Sequence, residues 1–338
     1  IHFAHQTFNW SNEAKSNAAV HVVIIGFAQF DSTNKRIFEY ENIKSNAHEK
    51  SAKNINAYLV EGDDIVIEKR RKPLCNVLNI IKGNYYAKSE GLIIEEKDLD
   101  YLVKNEPNAK KWIKLLIGAD EFINNRKRYC LWLVDCPPDE LRKMPLVMER
   151  VNRVREDRLK STDKGMQNLA PIRFRETNNP DKCIVIPVVS SEKRPYIPIG
   201  FIDKNTISTN GNLIIPNGDL FLFGQLTSLM HMAWVKYTCG RLKSDYRYSK
   251  DLVYNNYPFP KNVSEKQKKA VEEKAQNVLN IRSQFSDCSL ADLYDPLSMP
   301  PNLKKAHQEL DKAVDNCYGS KSFKNDKERI EFLFGLYE

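Results

Sequence analysis

Tyr257-Pro258-Phe259-Pro260 and, after three more residues, Ser264-Glu265-Lys266-Gln267 form the stretch that decides how this 338-residue sequence is organised. Two prolines at alternate positions oppose both a helix and a central strand. Ser264 followed three positions later by Gln267 is a capping box, in which two side chains satisfy the first backbone N–H groups of a helix. A domain boundary is therefore predicted at Pro260.

Residues 261–338 have the pattern of a small all-α domain. The capping box opens a helix whose apolar face holds Val271, Ala275, Val278 and Leu279. A second amphipathic helix follows Pro300-Pro301 and should stop at Gly319, and a third is predicted at about residues 326–336. We expect these helices to close a core separate from that of the preceding domain.

Residues 55–260 mix helix and strand patterns at irregular intervals. We predict short strands within 57–67 and strands at 128–134, 184–189 and 197–202, with helices at 95–117, 138–160 and 221–239. This irregular order does not fit a doubly wound parallel sheet. The fold class expected is therefore α+β, a mixed-sheet domain followed by the all-α domain.

Residues 1–54 precede this domain and have a different character. Residues 19–30 form a long β-branched run that predicts a buried strand, and residues 35–40 can return from a turn at 31–34 as a second strand. A polar stretch over 41–56 resembles a linker. Because the sequence starts at Ile1 in mid-pattern, we expect it to be part of a longer chain.

Composition excludes several classes of protein. Every apolar run is broken by charge before it is long enough to cross a bilayer, and the first residues lack a signal-peptide pattern. Seven scattered cysteines without a Cys-x-x-Cys motif fit neither a disulfide framework nor a zinc site. A reducing prokaryotic cytoplasm is the expected location.

Positive charge is concentrated in the middle of the sequence. Residues 101–260 contain 26 basic and 17 acidic residues, a net of +9, whereas residues 1–100 carry −1 and residues 261–338 carry zero. Such an excess attracts a polyanion, and double-stranded DNA is the obvious one. An ordinary basic surface explains the charge equally well, so charge alone leaves the choice open.

Motifs for catalysis are missing from the sequence. No Gly-x-Gly occurs, although a methyltransferase needs a glycine-rich turn for S-adenosylmethionine. The two Pro-Pro pairs follow Cys136 and Met299 and not the Asn or Asp with which an amino-methylase holds a flipped base. Phosphate-binding and zinc-protease motifs and a convincing nuclease signature are also absent. We expect this chain to bind no cofactor and to catalyse no reaction.

Residues 240–248 alternate basic, acidic and aromatic side chains just after a predicted helix end. In an extended loop, Lys243, Asp245 and Arg247 would point the same way. Lysine or arginine donates to guanine, and aspartate accepts from the cytosine amino group, so Lys243 and Asp245 could read one G·C pair. The alternative is an exposed loop of salt bridges.

Further candidates for DNA contact lie elsewhere in the sequence. Asn210, in the turn Thr209-Asn210-Gly211-Asn212, could reach adenine, as could Asn212, although Asn-Gly often forms only a turn. Six cations are candidates for phosphate contact: Arg153, Arg173, Arg175, Lys193, Arg194 and Arg241. Arg153 could instead form only a salt bridge on the helix surface, because Glu149 lies one helical turn away.

Several strings in this sequence resemble MmeI-like type IIL restriction-modification proteins. Residues 8–14 and 20–26 resemble the last strands of their methyltransferase domain. Their target-recognition domain is matched at 55–59, 197–201, 230–234 and 240–244, and their C-terminal helical segment at 290–296, 299–301 and 306–307. The resemblance covers nearly the whole sequence in order.

The resemblance implies a DNA target-recognition module taken from a larger protein. Such a protein would methylate an adenine amino group with S-adenosylmethionine, guided by one recognition domain that also serves a nuclease. Residues 1–54 would be the end of the methyltransferase domain plus a linker, and the rest of that domain would be a partner in the same chain. Positions matching Lys243 and Asp245 would specify one base pair.

Two other readings remain open. The neutral helical segment could belong to a protein-interaction module that docks a partner on its apolar faces. A type I specificity subunit is the other alternative, but such subunits usually carry two recognition domains separated by long helices.

Overall fold

The computed structural model describes residues 1–10, 20–40, 45–319 and 322–337. Its first unit is a four-stranded sheet of order β2-β1-β3-β4, made from β1 (Phe3–Trp10), β2 (Val20–Gly26), β3 (Lys35–Glu39) and β4 (His48–Ala52). β1 runs parallel to β3 and antiparallel to β2. A small core of five buried residues lies on this sheet: Ala4, Ile37, Ala52, Ile55 and Leu59.

The prediction that residues 19–30 form a buried strand is only half right. Residue 19 lies outside the described residues, and β2 begins at Val20. β2 is an edge strand, and three of its apolar side chains, Val23, Ile24 and Ile25, are 39–46% exposed. Phe27 and Phe30, just beyond it, are 78% and 72% exposed. The β-branched run therefore makes a strand, but none of the described residues covers it.

Two four-stranded sheets form the middle of the chain, of which the first is antiparallel throughout and the second is mixed. The first has the order β11-β9-β13-β5 and the second β12-β7-β8-β6. Their strands are β5 (Ile81–Lys82), β6 (Ile93–Glu95), β7 (Ile113–Ile117), β8 (Arg128–Leu131), β9 (Lys182–Pro187), β11 (Gly200–Asp203), β12 (Thr206–Ser208) and β13 (Asn212–Pro216). Both faces of β9 are buried, since Ile184 and Ile186 join one core and Cys183 and Val185 another. The α+β fold class is confirmed.

The helices of the middle region lie around the second sheet or follow the first sheet in the chain. They are α1 (Glu96–Asn105), α2 (Ala119–Asn124), α3 (Pro138–Leu141), α4 (Pro145–Leu159), α5 (Lys164–Gln167), α6 (Leu220–Leu226) and α7 (Leu229–Thr238). Arg158 of α4 is buried and donates hydrogen bonds to the carbonyl oxygens of Lys88 and Leu169 at 3.1 Å each. That arginine is therefore a structural anchor.

All three predicted helices of the middle region break at identifiable residues. The one predicted over 138–160 is divided before Pro145 into α3 and α4. The one predicted over 95–117 ends before Pro107, because the residue preceding a proline is pushed out of the helical region; a 3₁₀ turn and β7 follow. The one predicted over 221–239 breaks before Ser228, whose hydroxyl accepts from the His231 N–H and starts α7.

Other strand predictions need adjustment. Residues 57–67 form no strand beyond a single bridge between Ile55 and Glu61. The strand predicted at 197–202 begins only at Gly200, since Pro198 has no N–H for a ladder. Within the stretch expected to be a linker, His48–Ala52 is paired as β4, and residues 41–44 lie outside the described residues.

The C-terminal region is helical, with α8 (Glu265–Ser283), α9 (Leu290–Leu293), α10 (Pro301–Cys317) and α11 (Asp326–Tyr337). Ser264 and Gln267 cap α8 reciprocally, and Gly319 follows α10 with a φ of +116°. These helix starts and stops agree with the capping signals in the sequence.

The expectation of a separate core for the helical region is wrong. One continuous core joins residues 60–259 to residues 271–334. Gly224 of α6 lies so close to α8 that a Cβ there would stand 2.6 Å from Val271 Cγ1. The amphipathic faces of α8 and α10 are buried against α6 and α7 as well as against each other.

Candidate nucleic-acid interface

Residues 240–247 fold as a tight β-hairpin and not as the extended loop assumed from the sequence. β14 (Gly240–Leu242) pairs with β15 (Asp245–Arg247), and Lys243 and Ser244 make the turn. Lys243 has a φ of +56°, which is uncommon outside glycine. Asp245 and Arg247 share one face of β15, as expected, but Lys243 stands at the tip.

A third strand joins the hairpin to the body of the protein. β10 (Val189–Ser190) pairs antiparallel with β15, and the Tyr248 N–H donates to the Val188 carbonyl at 2.8 Å. The sheet order β10-β15-β14 leaves β14 at the edge. The hairpin is therefore held along one side by backbone hydrogen bonds.

Two tyrosines fix the root of this hairpin. Tyr248 is buried, and its hydroxyl lies 3.0 Å from Nε2 of the buried His231. Burial lowers the pKa of His231 to about 3, so the ring is neutral and shares one hydrogen bond with the tyrosine hydroxyl through Nε2. Tyr246 is also buried, beneath the Arg241 guanidinium, which lies 4.3 Å from the ring centre.

The candidate base-reading side chains sit on the outer part of the hairpin. Asp245 is half-buried, and its Oδ1 accepts from the Glu192 N–H at 3.2 Å. Lys243 and Arg247 are exposed, and neither forms an ion pair with any residue that the structure describes. The hairpin thus presents a fixed carboxylate between two free cations.

The turn that carries Asn210 lies beside the hairpin. The Val188 N–H donates to the Gly211 carbonyl at 3.0 Å, and the carbonyl of the same Val188 accepts from Tyr248 at the root of the hairpin. Asn210 is exposed, whereas Asn212 is fully buried and donates to the Ile117 carbonyl at 3.2 Å. Asn212 therefore holds the turn, and only Asn210 is free to reach a ligand.

Three of the predicted phosphate cations gather around the hairpin. Lys193 is exposed, and Arg194 is half-buried near Asp245; burial lowers the Arg194 pKa, and Asp245 opposes that shift. Arg241 lies 4.0 Å from a Glu192 carboxylate oxygen. Lys193 and Arg194 lie in the loop that bonds to Asp245, whereas Arg241 shares the opposite face of the hairpin with Tyr246.

The other three lie farther from the hairpin. The Arg175 N–H donates to the Tyr85 carbonyl. Tyr85 follows Asn84 in the chain, and the Asn84 carbonyl accepts from the Asn210 N–H. The half-buried Arg173 and the exposed Arg175 therefore adjoin the Asn210 turn, although Arg175 has Asp163 at 3.9 Å. Arg153 lies on α4 and pairs with Glu149 at 3.0 Å.

A further basic stretch was not predicted as a site from the sequence. Residues 69–72 are four consecutive basic residues, Lys69-Arg70-Arg71-Lys72, and all four are exposed. The net charge of residues 1–100 does not reveal these four cations, because four acidic residues in 61–68 offset their charge.

The described residues offer neither a metal-binding cluster nor a membrane-spanning helix. Within the described ranges, no group of three or more His, Cys, Asp or Glu side chains is arranged to hold a metal ion. None of the helices described is long and apolar enough to span a membrane.

Comparisons with known proteins agree along the whole chain. Family models match three stretches in order along the chain: the MmeI DNA-methyltransferase domain at residues 1–39, the MmeI target recognition domain at 61–261 and the MmeI C-terminal domain at 263–338. The chain belongs to the MmeI family.

Two relatives illustrate this membership. DNA methyltransferase A of Bacillus subtilis (strain 168) is 40% identical over 342 residues, which cover 100% of this chain and 38% of that protein. The solved structure of the type IIL restriction-modification enzyme MmeI in complex with DNA has a TM-score of 0.87 at 45% identity, over 99% of this chain and 45% of that one. The chain spans less than half the length of either relative.

Proposed function

We propose that this chain recognises a specific sequence in double-stranded DNA on behalf of a DNA adenine methyltransferase of the restriction-modification type. The observation that carries the proposal is the hairpin: a fixed carboxylate flanked by two unpaired cations, in a family whose central domain is a target recognition domain. The MmeI relative was solved in complex with DNA, which supports DNA as the ligand.

Four side chains are proposed to read bases. Lys243 and Asp245 together specify one G·C pair, with the lysine donating to guanine and the aspartate accepting from the cytosine amino group. Arg247 shares the Asp245 face and can donate to a neighbouring guanine. Asn210, exposed on the adjoining turn, can bind adenine in a bidentate manner.

Six cations are proposed to contact phosphates and to set the position of the duplex: Arg153, Arg173, Arg175, Lys193, Arg194 and Arg241. Lys193 and Arg194 have the best support, because they lie beside the reading face. Arg153 should contribute least, since Glu149 already neutralises much of its charge.

We further propose that the chain works as part of a longer protein with boundaries near residues 54 and 260. Support comes from the methyltransferase family model, which matches only residues 1–39 here, and from the exposed apolar side chains of β2. The missing part of the methyltransferase domain would cover β2. The prokaryotic cytoplasm, where chromosomal DNA is found, is the corresponding location.

S-adenosylmethionine is proposed as the cofactor of the longer protein, bound outside these residues. No helix occurs among the described residues of 1–52, and the sequence of this segment contains no glycine-rich turn to admit the cofactor. These residues therefore do not fit the group, and no catalytic role is assigned to them.

A salt titration of DNA binding by the full-length protein tests the proposal. The target is first found by mapping methylated adenines, and affinity is then measured for that duplex and for a scrambled one. Lys193→Ala should weaken both complexes alike and lower the slope of log affinity against log salt by about 0.9. Arg153→Ala is the control with a smaller effect. If the wild type does not prefer its own site, the proposed function is wrong.

A further inference from the structure

Residues 69–72 form a second, pre-arranged cationic segment on the same domain as the hairpin. Each of the four side chains is exposed, and none is paired with an acidic group among the residues that the structure describes. Several other surface cations do have such partners, for example Lys111 with Glu140 and Arg126 with Asp120. Four adjacent like charges repel one another unless a counter-charge is supplied from outside.

The backbone of this segment is fixed although it forms neither helix nor strand. The Arg70 N–H donates to the Asp251 carbonyl at 2.9 Å, and the Leu74 N–H donates to the Asn255 carbonyl at 2.7 Å. The Asn255 side chain returns a bond from Nδ2 to the Arg70 carbonyl at 2.7 Å. An ordinary solvent-exposed loop would not require backbone hydrogen bonds that flank its charged side chains.

A fully buried asparagine completes the attachment. Asn256 Nδ2 donates to the Glu68 carbonyl and to the Asp251 carbonyl, both at 2.9 Å, and its Oδ1 accepts from the Tyr337 hydroxyl at 3.2 Å. The Arg70 guanidinium lies 6.0 Å from the centre of the Tyr337 ring. The basic segment is therefore tied to the same body that supports the hairpin.

The distance to the hairpin suits a single duplex. Arg70 is hydrogen-bonded to Asp251, which follows Arg247 by only four residues, so the Cα atoms of Arg247 and Asp251 are at most about 14 Å apart. Along one DNA strand that length corresponds to about four phosphates. A duplex read by the hairpin can thus present its backbone to residues 69–72.

We propose that Lys69, Arg71 and Lys72 bind the DNA phosphate backbone beside the base pairs read by the hairpin, as a sequence-independent contact held in place by Asn255 and Asn256. This inference rests on the proposed function, because it requires that the domain binds DNA. Arg70 is left out of the contact set because its guanidinium lies over Tyr337.

The test uses the full-length protein and fluorescence anisotropy with two labelled duplexes, its mapped methylation site and a scrambled sequence. The variant Lys69→Ala/Arg71→Ala/Lys72→Ala removes three charges at the segment. The control variant Lys97→Ala/Lys104→Ala/Lys304→Ala removes three exposed charges on α1 and α10. A third variant, Lys69→Arg/Arg71→Lys/Lys72→Arg, keeps the charges.

The segment variant should bind both duplexes more weakly by the same factor. Its salt slope should fall by about 0.9 for each phosphate that the variant no longer neutralises, up to about 2.7. The preference for the mapped site should not change. The control and the charge-preserving variant should keep the wild-type slope.

Two results would contradict the inference while leaving the hairpin proposal intact. One is an unchanged salt slope in the segment variant, and the other is an equal decrease in the control. A wild type that binds neither duplex would overturn both the inference and the proposed function, whereas a wild type that binds both duplexes equally would overturn the proposed function alone.

Discussion

The carboxylate of Asp245 accepts a hydrogen bond from the backbone N–H of Glu192, with 3.2 Å between Oδ1 and N. This bond ties β15 to the loop that carries Lys193 and Arg194. Oδ2 has no hydrogen-bond partner among the described residues and is free to accept from a base. The side chain proposed to read DNA is therefore oriented before DNA arrives, which lowers the entropy lost on binding.

Asp245→Asn should abolish discrimination at one base pair without unfolding the protein. The amide oxygen can still accept from Glu192, but Nδ2 would replace an acceptor with a donor. We expect a loss of about 1–3 kcal/mol of discrimination, measured by competition between duplexes that differ at that pair. Asp63→Asn, at an exposed site, should leave discrimination unchanged. Equal behaviour of the two variants would contradict the assignment.

Tyr248→Phe should loosen the root of the hairpin. The change leaves Nε2 of the buried His231 without a partner, at a cost of about 1–3 kcal/mol in the free energy of unfolding. Urea denaturation measures that cost. Tyr85→Phe is the matched control, because the Tyr85 side chain is 39% exposed and its hydroxyl is free to bond to water. If both variants lose the same stability, the bond to His231 does not anchor the hairpin.

Asp311 should make stability depend on pH. It is buried, its Oδ2 accepts from the Tyr196 hydroxyl and its Oδ1 from the Leu229 N–H, both at 2.7 Å. Burial raises the Asp311 pKa from 3.8 to about 7, although the hydrogen bonds from Leu229 and Tyr196 and the charge of Arg329 act in the opposite direction. The folded state therefore binds the proton more tightly than the unfolded state does, and this stabilisation is lost as pH rises from about 4 to about 7.

Asp311→Asn removes that titration and can keep both hydrogen bonds, since its amide accepts from Leu229 and donates to Tyr196. We expect the variant to be more stable than the wild type at pH 8, by up to about 4 kcal/mol for a shift of about three pKa units. Urea denaturation at several pH values measures the difference. Asp287→Asn, at an exposed site, is the control. A wild type with constant stability from about pH 4 to 7 would refute this explanation.

Gly224→Val should separate the helical region from the rest of the shared core. A Cβ at Gly224 would stand 2.6 Å from Val271 Cγ1 and 3.3 Å from Leu310 Cδ1, so α6 and α8 would have to move apart. Such overpacking costs about 1–3 kcal/mol. Gly335→Val makes the same change in α11 with nothing within 4 Å, and it should be nearly neutral. Thermal denaturation compares the two, and equal losses would contradict the close packing.

The features predicted correctly from the sequence are those decided by neighbouring residues. Ser264 and Gln267 cap α8 as predicted, because a capping box needs only four consecutive residues. The apolar pattern of residues 95–117 favours one continuous helix, but Pro107 ends it, because the residue before a proline leaves the helical region. The error at β2 has a different cause. An apolar strand indicates that its side chains have to be covered, but it does not indicate whether this chain supplies the residues that cover them.

The candidate site was only partly visible in the sequence. Residue types within 240–248 indicated base reading, but Lys243-Ser244 lacks the Asn-Gly signature of a two-residue turn, so the hairpin was not foreseen. The prediction of a separate core was also wrong. The apolar faces of α8 and α10 indicate that these faces are buried, but they do not indicate which residues they pack against. The error about the core concerns contacts between residues distant in sequence, whereas the hairpin pairs residues close in sequence through a turn without a sequence signature.

The most direct test of base reading by the hairpin is the double exchange Lys243→Glu with Asp245→Arg in the full-length protein, followed by genome-wide mapping of methylated adenines. Donor and acceptor trade places at the hairpin, so one G·C pair of the recognition sequence should be replaced by C·G while all other positions stay the same. A recognition sequence unchanged at every position would show that Lys243 and Asp245 do not read DNA.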